Sequence, residues 1–157
     1  MNFNKLDTNS TNLQDKLNNL LQHGELALTE ETEVKNTTTD YELIGDIFND
    51  SVADNFTYAA GVLTYIGEHE REFLMGGSAD LEVKDVLSTD LTISLALYKN
   101  DVLQGFTPHT FTEKSVTETM ALTKNVVLKK NDAITIKSKI GDATKTLIFK
   151  TLNVTLW

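Results

Sequence analysis

The first part of the chain carries apolar residues at the spacing of an α-helix. A narrow stripe is formed by Phe3, Leu6, Leu13, Leu17 and Leu20. Together with Ser10, these residues occupy two series of positions seven apart and offset by three, which are the a and d positions of a heptad repeat. Gly24 follows as a stop signal. The pattern predicts an N-terminal α-helix over residues 1–23 with coiled-coil spacing.

A helix of this length is marginal in water, and this one is rich in Asn, a poor helix former. The leucine stripe therefore has to be buried against something else, either the remainder of its own chain or symmetry-related copies in a bundle. The strict spacing makes the stripe narrower than that of a globular surface helix, which favours the bundle. We expect residues 1–23 to anchor the protein and to hold its copies together.

Beyond the helix the apolar residues change to a period of two. Residues 24–40 form a linker in which Leu26, Leu28 and the run 31–35 predict one possible edge strand. From residue 41 to residue 157, apolar residues alternate with polar ones over 91–97, 134–140 and 152–156, as in half-buried strands. We expect turns at 49–50, 76–77, 99–101, 131–132 and 141–142, and a loop around Pro108, the only proline. The pattern predicts an all-β sandwich or jelly roll over residues 41–157.

Composition narrows the classes of partner. The chain has 157 residues, a net charge of −9 and 14 basic residues, of which Arg71 is the only arginine. Nucleic-acid binding depends on basic residues at phosphates, so we expect no nucleic-acid partner. There is no cysteine, which removes thiol chemistry and disulfides. No apolar run is long enough to span a membrane, and residues 1–5 lack the layout of a secretory signal, so we expect synthesis and folding in the cytoplasm.

No pattern of catalytic or metal-binding residues is present. The run from His69 to Glu72 begins like a zinc-protease motif, but position 73 is Phe73 instead of the second histidine. Asp80 and Glu82 share one face of a predicted strand, where a solvated pair is the simpler interpretation. Neither a nucleophile elbow nor a phosphate-binding loop occurs. We therefore expect no catalytic residue, no cofactor and no metal site, and a protein that is not an enzyme.

Several short blocks of the β region resemble a recurrent bacteriophage virion domain, a trimeric jelly roll similar in fold to the tumour-necrosis-factor-like heads. The blocks are Asn55-Phe56-Thr57, Gly61 to Gly67, Arg71 to Leu74, Leu95 to Asp101 and Leu128 to Ile134. They span roughly residues 41–157, and Asp101 stands where the family often has Gly. The resemblance implies a jelly-roll head that assembles as a trimer around its own axis. It carries over no functional residue.

On this resemblance the chain would be a virion structural protein, a head fibre or capsid decoration protein made in the host cytoplasm. Its partners would be its own copies and, through residues 1–23, a major capsid or tail protein. The alternative is a tail-tip adhesin that binds a host surface glycan or protein through loops around 49–55, 76–80, 99–110 and 141–145. Aromatic residues suit both cores and subunit contacts, so the candidates for either role are Tyr58, Tyr65, Phe73, Phe149 and Trp157.

Overall fold

In the computed structural model, residues 24–28, 30–34, 42–43, 55–84, 87, 89–112, 117–142 and 144–157 are described. These residues form β-strands and contain no helix. The predicted helix over 1–23, with Phe3, Leu6, Leu13, Leu17 and Leu20, lies outside the described residues. The strands are β1 (Gly24–Ala27), β2 (Thr32–Val34), β3 (Glu42–Leu43), β4 (Phe56–Ala59), β5 (Val62–Tyr65), β6 (Arg71–Val83), β7 (Leu91–Lys99), β8 (Val102–Phe111), β9 (Thr117–Leu128), β10 (Ala133–Ile140) and β11 (Leu147–Leu156).

The strands are arranged in two antiparallel sheets. The first sheet has the order β1-β11-β6-β9, with β2 also paired to β11. The second has the order β4-β5-β10-β7-β8, with β3 also paired to β10. Buried side chains from both sheets form one core cluster, which is the arrangement of a β-sandwich. The all-β prediction is confirmed for the described part of the chain.

Four of the strand pairs are nested in the sequence. β7 pairs with β8, β6 with β9, β5 with β10 and β1 with β11, all antiparallel. Strands from β5 to β11 also pass repeatedly from one sheet to the other. As a consequence, β8 and β9 become edge strands of different sheets on the same side of the sandwich.

Alternation along the strands puts one set of side chains into the core. In β7 the inward residues Leu91, Ile93, Leu95 and Leu97 are at most 4% exposed. Complete burial of such a side chain contributes about 1.5–3 kcal/mol. Phe56, Tyr65 and Phe73 pack against one another with ring centroids 5.2–5.4 Å apart. The strands predicted over 91–97, 134–140 and 152–156 are confirmed.

Two tight hairpins use residues with positive φ. Asn100 and Asp101, at φ 50° and 60°, connect β7 to β8, and Ala60 and Gly61, at φ 48° and 79°, connect β4 to β5. Positive φ at both central residues is the requirement of a type I′ turn, whose twist matches that of the flanking strands. The turn expected at 99–101 is therefore confirmed.

Two local predictions are wrong. Pro108 lies within β8 instead of in a loop, because β8 is an edge strand and an edge tolerates a residue that lacks an N–H group. Gly76 and Gly77 lie within β6 instead of in a turn. A Cβ on Gly77 would be 2.4 Å from the Asn153 carbonyl oxygen, so glycine is needed there for the close approach of β11.

The segment after residue 23 adds strands to the first sheet. β1 pairs with the end of β11 through Gly24 and Leu156, and β2 pairs with its beginning through Val34 and Leu147. Leu26 and Val34 belong to the core cluster. Residues 24–34 thus contribute two short strands along β11, where the pattern predicts one.

Candidate oligomerisation surface

The predicted contact residues are separated by the fold. Tyr65 and Phe73 are 1% and 2% exposed and face the core, and the Tyr65 hydroxyl donates to the His69 carbonyl oxygen at 2.9 Å. Burial raises the pKa of that hydroxyl, although Arg71 opposes the effect. These two rings have no surface to offer a second copy and belong to the core, as does Phe149. Trp157, in contrast, is 56% exposed.

The outer face of the first sheet has a band without charged side chains. One row is Thr123-Gly76-Thr155, read across β9, β6 and β11, and it ends at Glu25 on β1. The other row is Ala121-Ser78-Asn153-Ala27, read across all four strands. All of these residues except Glu25 are small or uncharged, in a chain in which 24% of residues are charged. Depletion of charge is typical of the centre of a protein–protein interface. The band is therefore the best candidate for a contact surface on this sheet.

An exposed apolar patch adjoins this band, and we define the Trp157 patch as Leu74, Val127 and Trp157. Leu74 and Trp157 are backbone partners, with N···O distances of 2.9 and 3.1 Å in the two directions. The Trp157 ring lies over Gly76, where a Cβ would be 2.6 Å from the ring atom Cη2. Glycine at this position lets the indole lie close to the sheet while its other side faces solvent.

A second apolar patch lies on the second sheet, and we define the Phe106 patch as Leu103 and Phe106. These side chains are 43% and 56% exposed. A register shift between Leu97 and Tyr98 puts Leu103 opposite Tyr98 and Phe106 opposite Ala96. Both therefore face outward on the edge strand β8. The two patches lie on different sheets, so they face different sides of the sandwich.

The charged end of the first sheet shows an ordinary set of polar contacts. Asp80 accepts hydrogen bonds from Thr119 at 2.6 Å and from Thr151 at 2.9 Å, and these bonds lower the pKa of its carboxyl. Lys150 binds Glu82 at 2.8 Å and Glu31 at 3.0 Å. These hydrogen bonds and ion pairs raise the pKa of Lys150. Asp80 and Glu82 do share the outward face of β6, as a polar strand surface.

Residues suited to chemistry are scattered. His109 on β8 contacts the carboxylate of Glu118 on β9, and its ring packs edge-on against Phe111. His69 lies in the connection before β6, and His23 falls outside the described residues. Within the described ranges no three His, Cys, Asp or Glu residues come together in a way that could hold a metal ion. The described part of the chain also contains no helix long and apolar enough to cross a membrane.

Several surface residues have little signal in the sequence. Leu74, Leu103 and Val127 sit in alternating strands like core residues, and only the register decides which face they occupy. The loop predicted around Pro108 includes Phe106, so the sequence pattern assigns this residue to no strand face. An edge strand is compatible with both proline and an outward aromatic residue, and a prediction of β8 as an edge strand would have placed Phe106 on the surface.

No protein-family model matches the chain, and no curated protein is similar to it in sequence.

Proposed function

We propose that the chain is a non-enzymatic structural protein of a bacteriophage virion, a head fibre or capsid decoration protein that assembles as a homotrimer. The β-region would be a jelly-roll head of the tumour-necrosis-factor-like kind. Residues 1–23 would form a helical stalk and bind a major capsid or tail protein. The proposal is supported by the family resemblance of the sequence and by the exposed apolar patches on the surface of the sandwich.

The nested strand pairs support the jelly-roll part of this proposal. A jelly roll is a long antiparallel hairpin rolled into two sheets, so its outermost strands pair with each other and its innermost strands form a hairpin. The pairs β1–β11, β5–β10, β6–β9 and β7–β8 follow this order.

The observation that carries the assembly is the pair of apolar patches on different faces of one sandwich. Monomeric proteins rarely leave large apolar side chains clustered in solvent without a binding role. Because the Trp157 patch and the Phe106 patch face different sides, contact between the two joins copies head to tail. A head-to-tail contact closes into a ring where the rotation permits, and a trimer is such a ring.

The experiment compares virion incorporation of the whole chain with that of a chain lacking residues 1–23. The proposal predicts that the truncated head folds with a β-rich circular dichroism spectrum and is absent from purified particles, whereas the whole chain is present. A density map of the particle would place the head on its surface. Efficient incorporation of the truncated head would refute the anchoring role of residues 1–23, and absence of the whole chain from particles would refute the virion role.

A cleft at one end of the sandwich favours the adhesin as the second candidate. The cleft has a volume of about 410 Å³ and lies where the β6–β7 and β10–β11 connections meet. Thr89, Asp90, Asp142 and Lys145 line it, and such groups suit the hydroxyls of a glycan. Binding of purified protein to host cells that is lost in Asp90→Asn would support the adhesin over the decoration protein.

A further inference from the structure

Lys124 stands apart from the other basic residues. Each other lysine or arginine in the described part of the chain has an ion pair, a hydrogen bond or another contact. Within that part, Lys124 has no polar partner. An uncompensated ammonium group is unexpected in a chain with a net charge of −9, because acidic side chains are abundant.

The position of Lys124 is on an open side of the sandwich. A cleft of about 210 Å³ lies between the edge strands β8 and β9, and Leu97 and Leu122 form its apolar floor. Gly105 supplies no side chain, and the Lys124 Nζ is 3.6 Å from where a Cβ on Gly105 would lie. The ammonium group therefore borders a groove that is open to solvent, between two strands that are sheet edges in the described part of the chain.

On the outer face of the first sheet, Glu25 is the acid that has no partner among the described residues. On the same face, Glu72 accepts a hydrogen bond from Asn125, and Asp80 and Glu82 are bound as described above. Glu25 lies on the edge strand β1, opposite Thr155, at the end of the uncharged row that runs through Gly76 to Thr123.

Within one chain these two charges cannot meet. β1 and β9 are opposite edges of the order β1-β11-β6-β9, and three strand spacings amount to about 14 Å. Thr123 ends the same row on β9, but its neighbour Lys124 pairs with the buried Met75 and so points to the opposite face of the sheet from Glu25. Each charge can find the other only on a second copy.

We infer that Lys124 of one copy forms an ion pair with Glu25 of the next copy in a head-to-tail ring. The inference rests on the proposed self-association and identifies the charged contact within it. The pair would lie at the rim of the apolar contact. Charge complementarity at a rim acts mainly on the choice of partner and on register.

The experiment is a charge-swap series on the full chain, with dissociation constants from sedimentation equilibrium. Lys124→Glu and Glu25→Lys place like charges opposite each other, and we expect each to raise the dissociation constant at least about tenfold. The double variant, and an equimolar mixture of the two single variants, should return to within about threefold of wild type. Recovery in the mixture requires a contact between copies, because neither chain alone carries both changes.

Matched controls separate a specific contact from the effect of net charge. Lys129→Glu and Glu70→Lys make the same charge changes at an exposed ion pair between the β9–β10 and β5–β6 connections, and their dissociation constants should stay near the wild-type value. The ion pair would be refuted if the single variants changed the dissociation constant no more than these controls do. It would also be refuted if the double variant did not return to the wild-type dissociation constant. Either result would leave the proposed assembly intact. A monomeric wild-type chain would overturn both. Dissociation by Lys124→Glu alone would show that Lys124 meets another acid, which also refutes the pair.

Discussion

Replacing Asn100 by alanine is expected to destabilise the sandwich because this residue ties two hairpins together. Its amide nitrogen donates to the Asp132 carboxylate at 2.7 Å, and its amide oxygen accepts from the Ala133 N–H at 2.8 Å. Asp132 also accepts from the Lys129 N–H at 2.9 Å. The turn between β7 and β8 is thereby held against the connection between β9 and β10.

The magnitude follows from two separable losses. A hydrogen bond to a charged group is worth about 1.5–3 kcal/mol and a neutral one about 0.5–1.5 kcal/mol, and solvent exposure here favours the lower ends. Alanine at the φ of 50° that Asn100 adopts adds about 1 kcal/mol of backbone strain. We expect Asn100→Ala to lower the free energy of unfolding by about 2–3 kcal/mol, measured by urea denaturation at pH 7.

Asn100→Gly isolates the two losses, because glycine adopts positive φ freely but makes neither side-chain hydrogen bond. It should be less destabilising than Asn100→Ala by roughly 1 kcal/mol. Equal effects of the two variants would refute the strain contribution. If both variants lay within about 0.5 kcal/mol of wild type, the role of the hydrogen bonds would be refuted.

Acid should weaken the same link. Partial burial acts to raise the pKa of Asp132, but hydrogen bonds from Lys129, Asn100 and Lys99 outweigh it, and the net effect lowers the pKa below its usual range. A carboxyl with a lowered pKa in the folded state stabilises the protein above its unfolded pKa of about 4, and this contribution is lost as the pH falls through the folded value. The difference between wild type and Asn100→Ala should therefore shrink at pH 3.

Three further substitutions test other parts of the structure. Gly77→Ala should lower the free energy of unfolding by about 1–3 kcal/mol because its Cβ meets a backbone oxygen. Gly105→Ala should be tolerated, since no atom lies closer than 3.6 Å to the Cβ it would add. Equal losses of stability in the two variants would contradict the close approach of β11. Ala60→Asn should raise stability by about 0.5–1 kcal/mol in a urea titration, since asparagine suits the first position of a type I′ turn, and a loss of stability would contradict that turn. Phe106→Ser should raise the dissociation constant of self-association about tenfold without loss of fold. Ile66→Ser, outside both patches, should leave that constant unchanged. Similar effects of the two variants would show that the Phe106 patch is not part of the contact.

The strands with regular alternation could be predicted from the sequence, since their period decides both their type and their buried face. β7 and β10 are of this kind, and so is the turn at Asn100 and Asp101, because these residue types accept positive φ. Prediction from residue type fails where the usual turn preference of a residue competes with the pairing of distant strands. Pro108 and the Gly76-Gly77 pair are usually found in turns, but the edge position of β8 and the close packing of β11 put them inside strands.

The candidate surface could be predicted only in part. Trp157 stands out by its type, yet Tyr65 and Phe73 share that type and lie in the core. Which aromatic residues face solvent depends on strand register and on which strands become edges, and both are set by pairing between distant parts of the chain. The isolation of Lys124 and Glu25 has the same origin, since it depends on the order of strands in the first sheet.

Sedimentation equilibrium of the full chain at micromolar concentration tests self-association most directly. The proposed assembly predicts a single species with three times the mass of the 17.5 kDa subunit. A stable species with the mass of one subunit, unchanged as the concentration is raised, would contradict it.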